Sequence, residues 1–216
     1  MSDWTGFIRK HTAVLAPPLV PEIRLHLASE VTPLWQATET LLERTGLPPP
    51  YWAFAWPGGQ ALARYVLDHA EIASGRAVLD FAAGSALAGI AAARAGAARV
   101  TAAEIDPAAD AAIQLNAALN GVSIELCADD LTESPAPVAD LILAGDVCYE
   151  RAMADRVTRW LSLQASLGAT VLLANPGRAY RPIQGLSELA RYCVPTLRDL
   201  EDSDERETVI WTMSIV

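Results

Sequence analysis

The chain has 216 residues, and its 16 Lys and Arg against 26 Asp and Glu leave a formal net charge of −10. A duplex-binding surface relies on Lys and Arg to displace counterions from phosphates, so this balance argues against a broad footprint on nucleic acid or an anionic membrane. A chain of this length suggests one domain that buries a sizeable core without disulfides. Cys127, Cys148 and Cys193 form no CxxC pair and are odd in number, so they read as small buried hydrophobes in a reducing compartment. His11, His26 and His69 are scattered, and no metal site is expected. The start, MSDWTGFIRKH, has no apolar signal core, and no 18-residue apolar run follows. A cytoplasmic location is the expectation.

Residues 1–56 hold four of the six tryptophans and many of the prolines. They read as an extension of irregular turns around one or two short helices that packs on the core; the clearer helix carries Leu34, Trp35, Leu41 and Leu42 on one face. Residues 57–216 then alternate helix and strand. A helix is expected from Pro57 to about Ala73, a strand at 77–81, a helix at 86–95 and a strand at 99–104. Asp106 stands where an N-cap belongs, Pro107 at the first helical position and Gly121 just past the last periodic residue, so both ends of the next helix are marked. Strands follow at 123–127, 139–145 and 169–174, with a helical stripe of Met153, Val157, Trp160 and Leu161 between the last two. A helix at 182–191 and strands at about 193–198 and 207–215 complete the expectation. Alternation of this kind implies a doubly wound, Rossmann-like, mainly parallel α/β sheet. The short final connection makes the last strand antiparallel.

The first strand, turn and helix read VLDFAAGSALAG. In such a sheet this turn lies at the carboxyl ends of the strands, where ligands bind. A dinucleotide would favour GxGxxG, but Ala82 and Ala86 stand at two of the three positions around Gly84. A nicotinamide oxidoreductase is therefore least favoured, whereas a methionine–nucleoside ligand without a pyrophosphate asks less of the turn. Glu104 closes the second strand twenty residues after Gly84, where a carboxylate can accept ribose hydroxyls. Asp106 is better explained as a helix cap. Asp129 and Asp130 follow the third strand, placed either for an adenine amino group or as a solvated turn. Trp56 precedes the Pro57-Gly58-Gly59 turn, where backbone can approach a ligand beside a flat ring; a core anchor is the even alternative.

After the fourth strand comes GDVCYE, with Asp146 and Tyr149 three apart. A carboxylate can orient an amine while a phenol or its ring face stabilises a nitrogen that gains charge. The bland alternative for this spacing is a cap and a core tyrosine. DVCY resembles the Asp-x-x-Tyr/Phe motif of the seven-strand protein methyltransferases. The segments PEIRLHL (21–27), PYWAFAWPGGQALARYVLD (50–68), VLDFAAGSA (78–86), EIDPAADAAIQLN (104–116) and NPGR (175–178) look like the electron transfer flavoprotein β-subunit lysine methyltransferase family. The resemblance implies a seven-stranded methyltransferase sheet and an S-adenosylmethionine-dependent lysine Nε-methyltransferase acting on a folded protein, the electron transfer flavoprotein β subunit. It also implies cofactor contacts from Trp56, Gly58, Gly59, Gln60, Asp80, Gly84, Ser85, Glu104, Asp129 and Asp130, with Asp146 and Tyr149 at the acceptor. Ala82 and Ala86 depart from the family's glycines, and a tuned rather than inactive site is expected. A ribosomal protein or small amine as acceptor, or a non-catalytic S-adenosylmethionine-binding module, remains open at this point.

Residues 199–207, DLEDSDERE, hold six acids and one arginine. If the penultimate strand runs parallel to the others, this turn lies at their carboxyl edge beside Asp146. It is either a solvated turn or an attractor for a basic segment around the target lysine.

Overall fold

The structure is a computed structural model that describes residues 3–29, 49–182 and 184–213. The expected helix around Leu34 to Leu42 lies outside the described residues. The elements run α1 (Trp4–His11), β1 (Ala13–Leu15), β2 (Leu25–Leu27), α2 (Pro57–Asp68), β3 (Ala77–Phe81), α3 (Leu87–Arg94), β4 (Arg99–Ala103), α4 (Pro107–Leu119), β5 (Glu125–Cys127), β6 (Leu141–Gly145), α5 (Arg151–Ser166), β7 (Thr170–Asn175), β8 (Leu186–Pro195), α6 (Arg198–Glu201) and β9 (Glu205–Met213).

The main sheet has seven strands in the order β5-β4-β3-β6-β7-β9-β8. The strands β3 to β7 are mutually parallel, while β9 is antiparallel to both β7 and β8. The penultimate strand β8 therefore runs with the parallel set. Its carboxyl end, and the acidic hairpin that follows, lies at the same edge as the ends of β3, β4 and β6.

Period-2 alternation sorts the strand side chains onto two apolar faces. Val78, Leu141, Leu143, Leu172 and Ala174 pack with Leu62 and Val66 of α2 and Ile90 of α3. Leu79, Phe81, Ile142, Ala144, Val171 and Leu173 pack with Val157, Trp160 and Leu161 of α5. The Phe81 and Trp160 rings stack there at 4.7 Å. The α4 helix begins as its sequence signals: Asp106 Oδ1 accepts from the Ala108 amide at 2.8 Å, with Pro107 at the first position. The α2 helix ends at Asp68, shorter than expected, and a single 3-10 turn (Ala70–Ile72) carries the chain to Gly75.

Of the three cysteines expected to be buried, Cys148 is, Cys127 is half-buried and Cys193 is exposed. Two expectations about the elements also fail. Residues 186–195 form a ten-residue strand instead of a helix followed by a strand, because they pair along nearly the whole length of β9, with a bulge between Glu188 and Ala190. Their helical composition loses to that ladder, a tertiary override of propensity. Within residues 3–29 the structure also holds a two-stranded antiparallel sheet of β1 and β2, where only turns and short helices were expected.

Asn116 of α4 and Asn120, its C-cap, clip that segment to the domain. Asn116 is fully buried; its Oδ1 accepts from the His26 amide at 2.8 Å and its Nδ2 donates to the Ser85 carbonyl at 3.0 Å. Asn120 pairs with both backbone groups of Arg24. Thus β2 is tied through Asn116 to the turn after β3. Replacing Asn116 with Ala strands two backbone groups, each worth about 1–3 kcal/mol when buried without a partner. Urea denaturation of Asn116→Ala is expected to show a loss of about 2–4 kcal/mol, and a loss below half a kcal/mol would contradict this role.

Candidate active site

At the carboxyl edge of the parallel strands lies a cavity of about 500 Å³. Trp56, Asp80, Gly84, Ser85, Glu104, Asp129, Asp130, Asp146 and Tyr149 all line it, as does Gly59. Gly58 and Gln60, expected at the cofactor, do not line it. Gln60 is 1% exposed; its Nε2 donates to the Ala55 carbonyl at 2.7 Å and its Oε1 accepts from the Leu19 amide at 3.2 Å. It fastens the amino-terminal segment to α2. Gly58 supports Asp146 from behind: a Cβ there would lie 2.5 Å from Asp146 Oδ2 and 2.8 Å from its amide nitrogen.

The turn after β3 is held by the end of β4. Glu104 accepts the Gly84 amide on Oε2 at 3.0 Å, and those of Ile105 and Asp106 on Oε1 at 2.8 and 3.2 Å. Three of the roughly four acceptor positions of a carboxylate are thus filled. One position, on Oε2, remains for a ligand hydroxyl, fewer than a ribose pair needs unless a backbone bond is exchanged. Gly84 has φ +52°, and Ala82 and Ala86 share the left-handed region at +52° and +57°. An alanine Cβ is strained there, which gives glycine at those positions a conformational reason.

Asp80 is buried and accepts the Gly89 amide at 2.7 Å; burial, opposed by that bond, pushes its carboxyl up to about 7. Asp130 is committed to its own turn, taking the Thr132 amide and hydroxyl on Oδ1, and the hydroxyl bond chiefly holds its carboxyl below the ordinary value. Asp129 lines the cavity alongside it. Trp56 is held by Nε1–H donation to the Tyr51 carbonyl at 2.8 Å. The Tyr51 ring lies 5.9 Å from that of Trp56 and 5.8 Å from that of Tyr149, so three aromatic rings form one wall.

Asp146 lines the cavity beside Gly59. It has φ +59°, a region Asp tolerates better than most residues. Its Oδ2 accepts the Gly59 amide at 3.1 Å, supplying from another strand the cap that α2 lacks at its own N-cap Trp56. Its Oδ1 is buried without a hydrogen-bond partner. Arg178 Nη2 stands 3.8 Å from that oxygen, an ion-pair rather than a hydrogen-bond distance. Burial pushes the Asp146 carboxyl up to about 7, against the opposing pull of Arg178 and the Gly59 amide. Sequence reasoning placed Asp146 but missed Arg178 and Tyr51. NPGR and PYW were noted as segments, and only the strand directions bring them to the same edge.

A family model for ribosomal protein L11 methyltransferase (PrmA) matches residues 60–161. The fold is similar to that of a ribosomal protein L11 methylase from Lactobacillus delbrueckii subsp. bulgaricus, with a TM-score of 0.51, 20% identity, and coverage of 79% of this chain and 83% of that one. It is also similar to magnesium protoporphyrin IX methyltransferase (ChlM) from Synechocystis PCC 6803 with bound SAM, with a TM-score of 0.53, 19% identity, and coverage of 73% and 80%. Electron transfer flavoprotein beta subunit lysine methyltransferase of Xenopus laevis is 36% identical over 213 residues, covering 96% of this chain and 85% of its own length. The chain belongs to that protein's family. The Danio rerio member is 36% identical over 216 residues, and the Caenorhabditis elegans homolog 34% over 200. The chain is accordingly an S-adenosylmethionine-dependent protein-lysine methyltransferase, which removes the non-catalytic alternative.

The donor set fits that cofactor. Asp80, Glu104 and Asp129 line the cavity with carboxylates suited to hydroxyl and amino groups, and the turn at Gly84 offers the close approach of a residue without Cβ.

Two measurements follow from this geometry. A Cβ at Gly59 meets nothing within 4 Å, whereas one at Gly58 meets Asp146. Gly59→Ala should fold with unchanged or higher stability, and Gly58→Ala should lower the thermal midpoint; equal midpoints would contradict the contact. Asp80 and Asp146 titrate near 7 when folded, against an ordinary 3.8. Between those values the folded state holds protons that the unfolded chain has released, so their contribution to stability falls as pH rises through about 4 to 7. Asp146→Asn should flatten that fall by up to about 1.4 kcal/mol per pH unit, measured by urea titration at several pH values. An unchanged slope would place Asp146 at an ordinary value.

Proposed function

We propose that this methyltransferase modifies a lysine of the electron transfer flavoprotein β subunit, with Asp146 and Tyr149 holding the acceptor amine and Trp56, Asp80, Gly84, Ser85, Glu104 and Asp129 contacting the cofactor. The acceptor rests on family membership across 96% of the chain. The acceptor site rests on one observation: the Asp146 carboxylate lines the cavity with one oxygen, Oδ2, capping α2 and the other, Oδ1, buried without a hydrogen-bond donor. A carboxylate so incompletely satisfied costs stability, and a cationic or N–H donor arriving at the exposed 14% of that side chain offsets part of the cost.

The bound cofactor supplies an electrophilic methyl group on a sulfonium. The protein's part is positional and electrostatic. Asp146 orients the amine so that its lone pair faces the methyl, which is a near-attack arrangement. As nitrogen gains positive charge, Asp146 and the Tyr149 and Tyr51 faces stabilise it. The amine reaches attack by losing its proton to solvent or to a nearby acceptor, and a carboxyl poised near 7 is close to neutral pH for either state. Repeated proton loss permits further methyl transfers where the wall leaves room.

The ribosomal-protein reading is less favoured, because the L11 methyltransferase family model matches residues 60–161 alone, whereas the flavoprotein-subunit relative matches 96% of the chain. The acidic hairpin as a magnet for a basic acceptor segment is also weaker than its sequence implies. Arg198 pairs with Asp204, Arg191 with Glu207, and both Arg178 and Arg206 with Glu201, so local arginines neutralise much of the run. A basic segment near the target lysine is still consistent with the carboxylates at the cavity itself.

The deciving experiment for the acceptor is incubation of purified enzyme and S-adenosylmethionine with recombinant electron transfer flavoprotein β subunit, then with ribosomal proteins and small amines. Mass spectrometry should find whole-methyl increments on one or more lysines of the flavoprotein subunit. Label in ribosomal proteins or small amines alone would overturn the assignment.

A further inference from the structure

Arg178 is tethered at both ends. Its amide donates to Asn175 Oδ1 at 2.6 Å, at the end of β7, while its guanidinium forms a two-pronged pair with Glu201 of α6, one prong at 3.1 Å. Glu201 is 2% exposed and is also met by Arg206 Nε at 3.3 Å. A carboxylate this deep in a hairpin is held only because two guanidinium groups compensate it. The pair leaves Arg178 Nη2 3.8 Å from Asp146 Oδ1, close enough to balance its charge and too far to donate to it.

We propose that Glu201 and Arg178 are positioning residues of the acceptor site: Glu201 holds the guanidinium back so that Arg178 supports the negative charge of Asp146 from behind, at Oδ1, without bonding to the carboxylate whose cavity side receives the acceptor amine. On this account the β8–β9 hairpin is part of the active site, contributing through its one buried acid rather than through its exposed ones. The planar fork of Arg178 matters, because a two-pronged pair with Glu201 fixes direction as well as distance. Freed from Glu201, Arg178 would close the gap and bond to Oδ1, neutralising the carboxylate and turning it away from lysine. The groups facing Asp146 have opposing effects on it. Arg178 and the amides of Gly58 and Gly59 favour its ionised form, and Glu201 disfavours it; Cys148 and Tyr149 are the titratable neighbours on its own loop.

The inference rests on Asp146 as the group that holds the amine, and it can be tested without any acceptor. Carbon-13 carboxyl titration of Asp146 in the full-length protein, with the resonance assigned by its loss in Asp146→Asn, reports its ionisation directly. Arg178→Gln should move the midpoint up by about one pH unit, Arg178→Lys should restore part of that shift, and Glu201→Gln should move it down. With electron transfer flavoprotein β subunit as acceptor, both Arg178→Gln and Glu201→Gln should raise the acceptor KM by about tenfold, the equivalent of one such unit. Cofactor Kd by calorimetry should stay within about twofold, which also reports an intact fold. A merely structural salt bridge would lower stability and cofactor affinity together while leaving the Asp146 midpoint unmoved, or moved in the same direction by both variants; either result overturns the proposal. If the midpoints shift oppositely but Asp146→Asn still transfers methyl at the wild-type rate, the positioning pair stands and the acceptor-site reading fails.

Discussion

Two stretches of backbone meet with no side chain between them where α2 starts and β6 ends. A Cβ at Gly145 would lie 2.9 Å from the Gly59 nitrogen and 3.1 Å from the Gly58 carbonyl carbon, and a Cβ at Gly58 would strike Asp146. Only glycine permits this approach. The contact lets one carboxylate, on a residue at φ +59°, cap a helix from a neighbouring strand while standing in the wall of a cavity. The orientation of Asp146 and the amino end of α2 both depend on it.

The surrounding fold makes that contact rigid. Strands β3, β6 and β7 are apolar on both faces, so α2 and α3 cover one side and α5 the other. The register of the parallel strands brings Phe81, Ala103 and Gly145 to a common edge, from which Asp80, Glu104 and Asp146 emerge. Burial then does for two of these acids what no single neighbour could, carrying Asp80 and Asp146 to about 7. A binding site that keeps unfilled, partly neutralised carboxylates is less stable than the same fold with them satisfied, as expected where stability is exchanged for recognition of a cationic ligand.

Much of this was legible in the sequence, for local reasons. Asp106, Pro107 and Gly121 mark the α4 ends because capping is a matter of a few neighbouring residues. Glu104, Gly84 and Asp146 were placed because strand ends are counted from apolar runs, and the hairpin was put at the carboxyl edge from strand direction alone. What escaped depends on partners distant in sequence. LSELARYCVP has a composition that a helix accepts, and only the facing β9 ladder makes it a strand. Gln60 and Gly58 sit in a motif beside the cavity, yet one pairs with Leu19 and Ala55 and the other makes room for Asp146. Arg178 and Glu201 lie 23 residues apart and meet through the sheet order, so the acid count of the hairpin overstated its free charge.

The central claim is that Asp146 holds the acceptor amine in the cavity and that the cofactor is bound there by other residues. Single-turnover methyl transfer to electron transfer flavoprotein β subunit, with wild type and Asp146→Asn each saturated with S-adenosylmethionine, addresses it most directly. A fall in the transfer rate of about a hundredfold or more, with cofactor Kd unchanged, is the predicted result. A wild-type rate in Asp146→Asn, or a loss explained wholly by weaker cofactor binding, would contradict it.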